Sequence, residues 1–315
     1  MAMSDHPELD PRARRVQLPS RILGVTRYLY VYLPPEYAAA PRQRFPTLYL
    51  LRGHEREWVN RREDASRGGT TVIDVYERLR AAGAVGPLIL VLPGMASDDN
   101  TVPGMLTDFH SPARAAHVPG IGSGRFQRYF FEELLPFIDA RFRTLPGARA
   151  VAGFSLGGYM AVKAAALHPE RFVSVGAFDG AFPYASDGGR SARLAETLFA
   201  PPMFDTVLGV PRDQAHLSAN NPVCLLCHAD VAALRRITWL IQYGPEHLEP
   251  WGSNFYRGEY LLRLLRSLGI ENSAPLAALP DGEHTWRLAD RHIEQTLPLH
   301  WAALQQVVDQ AYAPR

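Results

Sequence analysis

The chain has 315 residues, 47% of them hydrophobic, with 33 basic and 32 acidic side chains and a formal net charge of +1. A chain this apolar and this nearly neutral buries enough surface to offset its conformational entropy, so disorder is excluded, and it lacks the basic excess with which proteins meet nucleic acid or anionic lipid. Two cysteines exclude a disulfide framework, no run approaches the roughly 18 apolar residues of a membrane span, and the opening ten residues lack the apolar core of a secretory signal, which together point to a cytoplasmic protein.

In chain order, segments rich in β-branched and aromatic residues alternate with amphipathic or alanine-rich ones. That alternation implies an α/β fold, a mostly parallel central sheet with helices on both faces. Strands are expected at 28–33, 47–51 and 88–92, with a helix at 72–82 ended by Gly83. A helix at 130–142 carries Pro136 as a kink, a short strand follows at 149–152, and a helix at 158–167 stops at His168-Pro169. Further strands are expected at 172–178, 237–243 and 276–279. A helix at 256–268 is capped by Gly269, and residues 291–312 close the chain as helix. No linker divides this order, so residues 20–315 read as one domain behind an N-terminal extension, 1–19. Two insertions, near 93–125 and 180–221, are placed to wall a cleft with Phe182, Tyr184, Phe199, Phe204 and His216.

Between the expected strand at 149–152 and the following helix stands Gly153-Phe154-Ser155-Leu156-Gly157-Gly158, a G-x-S-x-G sequence. A tight strand-to-helix turn there lifts the Ser155 hydroxyl above the strand ends, requires small flanking residues, and directs the Leu156 amide to where an oxyanion would form. A serine hydroxyl is a poor nucleophile unless a histidine removes its proton and a carboxylate fixes that histidine's tautomer. His284 lies in a turn-rich loop after the last expected strand and is the candidate base. The acid is expected after the strand at 237–243, where Glu246 is the first candidate and Glu249 the alternative. A histidine base must be neutral, so activity is expected to fall as pH drops through roughly 6 to 7.

These stretches resemble the Putative esterase family of α/β-hydrolases, which includes S-formylglutathione hydrolases of the esterase D type, feruloyl and acetylxylan esterases, enterochelin-type esterases and the antigen 85 acyltransferases. The resemblance is carried by Phe45-Pro46-Thr47-Leu48-Tyr49-Leu50-Leu51-Arg52-Gly53, by Glu132-Glu133-Leu134-Leu135-Pro136-Phe137-Ile138-Asp139, by the Ser155 block continuing to His168-Pro169-Glu170-Arg171-Phe172, and by Glu283-His284-Thr285-Trp286. It extends from about Ser20 to Trp301, with 20–24 and 31–37 similar to the family's opening strands. It implies the α/β-hydrolase fold, Ser155 as nucleophile, His284 as base, and an oxyanion hole made by the backbone amides of Leu156 and His54. Two departures stand out. The family often has His or Asp where Arg52 stands, and usually has Asp after the late strand where this chain offers Glu246 to Glu249.

The expected function is that of a serine esterase acting on small-molecule esters, including sugar esters, through a Ser-His-Glu triad and an acyl-enzyme. It needs no cofactor and no metal, and neither nucleic acid nor membrane is an expected partner. Transfer of the acyl group to an alcohol, as in the antigen 85 group, is the first alternative. A non-catalytic carbohydrate-binding protein on the same fold is the second. Cys224-Leu225-Leu226-Cys227-His228 spells the attachment motif of c-type haem, but cytoplasmic placement and the helical, apolar context favour two small core residues.

Overall fold

The computed structural model describes residues 8–312. Its longer extended runs build a seven-stranded sheet in the order β1 (Arg14–Pro19), β2 (Thr26–Tyr32), β4 (Ile89–Pro93), β3 (Phe45–Leu51), β5 (Thr144–Phe154), β6 (Ser174–Phe178) and β7 (Thr238–Gln242), beside a two-residue hairpin pairing of 185–186 with 191–192. β1 and β2 join antiparallel, and all pairings from β4 to β7 are parallel. Strand side chains alternate between faces, so the parallel strands feed two apolar layers. Tyr49, Val151, Val175 and Ile241 pack on one side with α3 (Leu156–Leu167) and α6 (Phe255–Ser267). Leu48, Leu50, Ala150 and Ala152 pack on the other with α1 (Val72–Ala81) and α7 (Trp286–Tyr312). The remaining helices include α2 (Leu135–Arg141), α4 (Gln214–Asn220) and α5 (Pro222–His228). Among the described residues no helix is long and apolar enough to cross a membrane.

Three expectations are corrected. Residues 14–19, assigned to an extension, form the edge strand β1, whose buried Val16 and Leu18 alternate with exposed neighbours. Residues 20–24 are accordingly the turn into β2, with Gly24 at φ +74°. The segment at 276–279 makes only a bridge, Tyr243 to Ala278. The cause lies one turn upstream, where the Asn272 side chain accepts from Ile241 N–H (2.8 Å) and donates to Ile241 C=O (2.9 Å), replacing the ladder a strand would extend. The helix around Pro136 is also not regular: the chain is helical from Phe126 and runs as a π-helix over Tyr129–Leu134 before α2. A proline without an N–H disrupts regular i to i−4 bonding in this way.

Candidate active site

Ser155 sits between β5 and α3 with φ 57° and ψ −119°, a strained conformation for a residue with a side chain. The main chain holds it there. Its N–H donates to Phe178 C=O (3.0 Å), and its own C=O accepts from Tyr159 and Ala181. The flanking glycines are sterically required: a methyl on Gly153 would lie 2.2 Å from the Gly157 carbonyl, and one on Gly157 1.9 Å from Leu51 O. Leu156 is the first residue of α3, so its N–H has no intrahelical acceptor, and none is found among the described residues. The elbow is thus built as its sequence anticipates, with one amide open beside the hydroxyl.

His284 stands over this turn. Its backbone N–H donates to Gly252 C=O (2.9 Å), and its ring lies 4.6 Å, centre to centre, from the ring of Phe154, the residue before Ser155. Nδ1 lies 2.5 Å from Asp179 Oδ2. With Nδ1–H donated to that carboxylate, Nε2 is left as the basic nitrogen. Ser155 Oγ makes no hydrogen bond to the ring among the described residues, and contacts of this kind often tighten only around a substrate.

The carboxylate is therefore not the expected one. Asp179 follows β6 directly, one strand from Ser155, and is fully buried with φ +45°. Its Oδ1 accepts from Asn254 N–H (2.8 Å) and Gly244 N–H (3.1 Å), and Asn254 Nδ2 donates to its backbone C=O (2.9 Å). These donors fix the carboxylate so that Oδ2 faces the imidazole. Glu246 instead accepts from the Tyr256 hydroxyl (2.5 Å), and Glu249 from the Tyr256 N–H (2.9 Å). The physical reason is the loop's first residue: Gly244 directs its amide to Asp179, and the two glutamates lie beyond it, held at the start of α6. A carboxylate ending the strand beside the nucleophile strand, Phe178-Asp179-Gly180, was the available signal.

The amide of His54 is likewise not free. It donates to Glu57 Oε1, because the short 3₁₀ turn Glu57–Val59 folds that carboxylate back over the turn after β3. Glu57 Oε2 also lies 3.1 Å from Arg52 Nε. Burial, reinforced by Arg56, lowers the pKa of the His54 imidazole to about 4, so the ring is neutral. Of the residues expected to wall a cleft, Phe182, Phe199 and Phe204 are buried in the core, while Tyr184 and His216 are half-buried. Cys224 is also a core residue, its thiol raised to about 12 by burial, and the His228 ring hydrogen-bonds Cys224 C=O (2.7 Å). Both features suit a packed helix rather than an attachment site.

Solved structures share this architecture. A ferulic acid esterase superposes with a TM-score of 0.68 at 21% identity, over 92% of this chain and 98% of that one. An S-formylglutathione hydrolase from Agrobacterium tumefaciens gives 0.60 at 21% identity, over 93% and 96%. The fluorophosphonate-binding serine hydrolase FphF of Staphylococcus aureus gives 0.61 at 16%, over 94% and 98%. These likenesses define the fold class, the α/β-hydrolases. Sequence narrows the class further: residues 20–247 match the family model described as Putative esterase, and the chain belongs to that family. It is also 30% identical over 226 residues to Esterase Rv1288 of Mycobacterium tuberculosis, covering 70% of this chain and 44% of that longer protein.

Proposed function

We propose that the protein hydrolyses carboxylic esters through an acyl-enzyme formed on Ser155. The observation that carries this reading is the Asp179–His284 pair, 2.5 Å apart, beside a serine on a strained elbow. Ser155 Oγ bonds to the ester carbonyl carbon as His284 Nε2 takes its proton, and Asp179 stabilises the imidazolium and holds its orientation. The developing oxyanion is met by Leu156 N–H at the start of α3. The amide of His54, the second expected donor, is bonded to Glu57 Oε1 in this structure, so Leu156 N–H is the open donor. Collapse breaks the bond to the alcohol, which leaves with the proton from His284. Water attacks the acyl-enzyme by the same route and releases the acid. The family supports esters as the reactive group, and small aryl, acyl or sugar esters are the substrates to screen.

A fluorophosphonate probe is expected to label the wild type at Ser155, and Ser155→Ala to lose labelling together with at least about a thousandfold of turnover on 4-nitrophenyl esters. Retention of turnover within tenfold would remove Ser155 from the mechanism.

A further inference from the structure

Arg52 directly follows β3, whose Leu51 pairs with Gly153 of the nucleophile strand. Its guanidinium carbon lies 5.1 Å from the ring centre of Phe154, and the His284 imidazole lies 4.6 Å from that same ring. The cation and the candidate base therefore share one aromatic neighbour, and the next residue is Ser155. Contact with a ring face stabilises a cation and leaves the N–H edges of the guanidinium unused.

Those edges are incompletely satisfied. Nε is buried and lies 3.1 Å from Glu57 Oε2 without the alignment of a hydrogen bond, and neither terminal nitrogen donates a hydrogen bond among the described residues. The buried arginines nearby behave differently: Arg67 donates to both oxygens of Asp290 and to the carbonyls of Trp58 and Asn60, and Arg27 to the carbonyls of Ala96 and Gly120. The Arg52 side chain is 21% exposed while Glu57 is 5% exposed, so solvent reaches the cation and hardly reaches its counter-ion. A planar guanidinium with both terminal N–H groups open is shaped for two parallel bonds to a carboxylate.

We infer that Arg52 binds a carboxylate carried by the substrate, so that the preferred esters are anionic. This rests on the ester-hydrolase reading and specifies its substrate class. Glu57 holds the guanidinium from the Nε side and Phe154 supports its face, leaving the fork for the ligand.

The test compares kcat/KM on two matched pairs in the wild type, Arg52→Gln and Arg52→Lys. One pair carries the charge on the acyl side, 4-nitrophenyl hydrogen adipate and its methyl ester. The other carries it on the leaving side, 4-acetoxybenzoate and its methyl ester. In at least one pair the anionic-to-neutral ratio is expected to fall at least tenfold in Arg52→Gln, mainly through KM, with partial recovery in Arg52→Lys and a smaller contrast at high salt. A ratio unchanged in both pairs, with the neutral esters turned over and Ser155 still labelled by fluorophosphonate, would overturn the inference alone. Failure of the wild type to label or to turn over any ester would overturn the hydrolase reading and this inference with it.

Discussion

At the scale of single residues, the geometry assigns different work to three carboxylates that look alike in sequence. Asp179 is fully buried and fixed by two amides on one oxygen, while its other oxygen meets His284. Glu246 and Glu249 are engaged with Tyr256. Asp179→Asn keeps the size of the side chain but removes the charge that stabilises an imidazolium and sets its tautomer. It is expected to lower kcat by about 10⁴-fold. Glu246→Gln and Glu249→Gln are expected to stay within a few-fold of wild type. Steady-state kinetics on one aryl ester compares all three, and a larger loss in Glu246→Gln than in Asp179→Asn would return the acid to the loop after β7. The sequence picks out Ser155 and His284 as candidates because an elbow and a loop histidine have local signatures. The partner carboxylate has only a weak signature, a place at a strand end, which Asp179, Glu246 and Glu249 all come near.

At the scale of elements, α3 carries more than the elbow. Lys163, the chain's only lysine, lies fully buried on it, and Nζ donates to Leu106 C=O (2.6 Å), Thr107 Oγ1 (2.9 Å) and Asn220 Oδ1 (2.6 Å). Burial pushes its pKa well below the ordinary lysine value, yet three acceptors match the three N–H groups of an ammonium. The side chain thereby ties the nucleophile helix to the loop at 93–125 and to the end of α4. Lys163→Met would bury three acceptors without their donor, at about 1–3 kcal/mol each before relaxation. A fall of several degrees in the thermal midpoint is expected, read by calorimetry, with the urea midpoint falling in parallel. An unchanged midpoint would show the tie to be dispensable. The sequence disclosed α3 itself through its alanine-rich composition between strands. It did not disclose this role, which depends on two segments remote in the chain arriving at one point.

At the scale of the whole molecule, two histidines on α7 make the fold sensitive to acid. His292 and His300 are buried, with Nδ1 of His292 on Gln242 Oε1 (2.8 Å) and Nδ1 of His300 on Ser174 Oγ (2.7 Å). Burial lowers both pKa values to about 3, and His300 adds to the effect on His292. Folded, they are neutral; unfolded, they bind protons below about pH 6.5. The unfolded state therefore takes up more protons between pH 6.5 and 3, and stability falls as pH falls through that window. By pH 4.5 each histidine contributes a loss of roughly 3 kcal/mol on this linkage. Urea unfolding at pH 7.5 and pH 4.5 measures it. Equal free energies at the two values would mean that these rings are protonated, or accessible to protons, in the folded chain.

The sequence by itself determined the main alternation of strands and helices, the elbow at Ser155 and the loop setting of His284, because periodicity, turn sterics and glycine placement act over a few neighbouring residues. Only the tertiary structure decided which carboxylate meets the imidazole, which amide stays open and which cation keeps free N–H groups. Asp179 and His284 are 105 residues apart, and their contact depends on how β6, β7 and two loops settle against one another. The capture of His54 N–H by Glu57 and the half-satisfied state of Arg52 arise at the same sheet edge, where each polar group takes the nearest partner that packing brings to it.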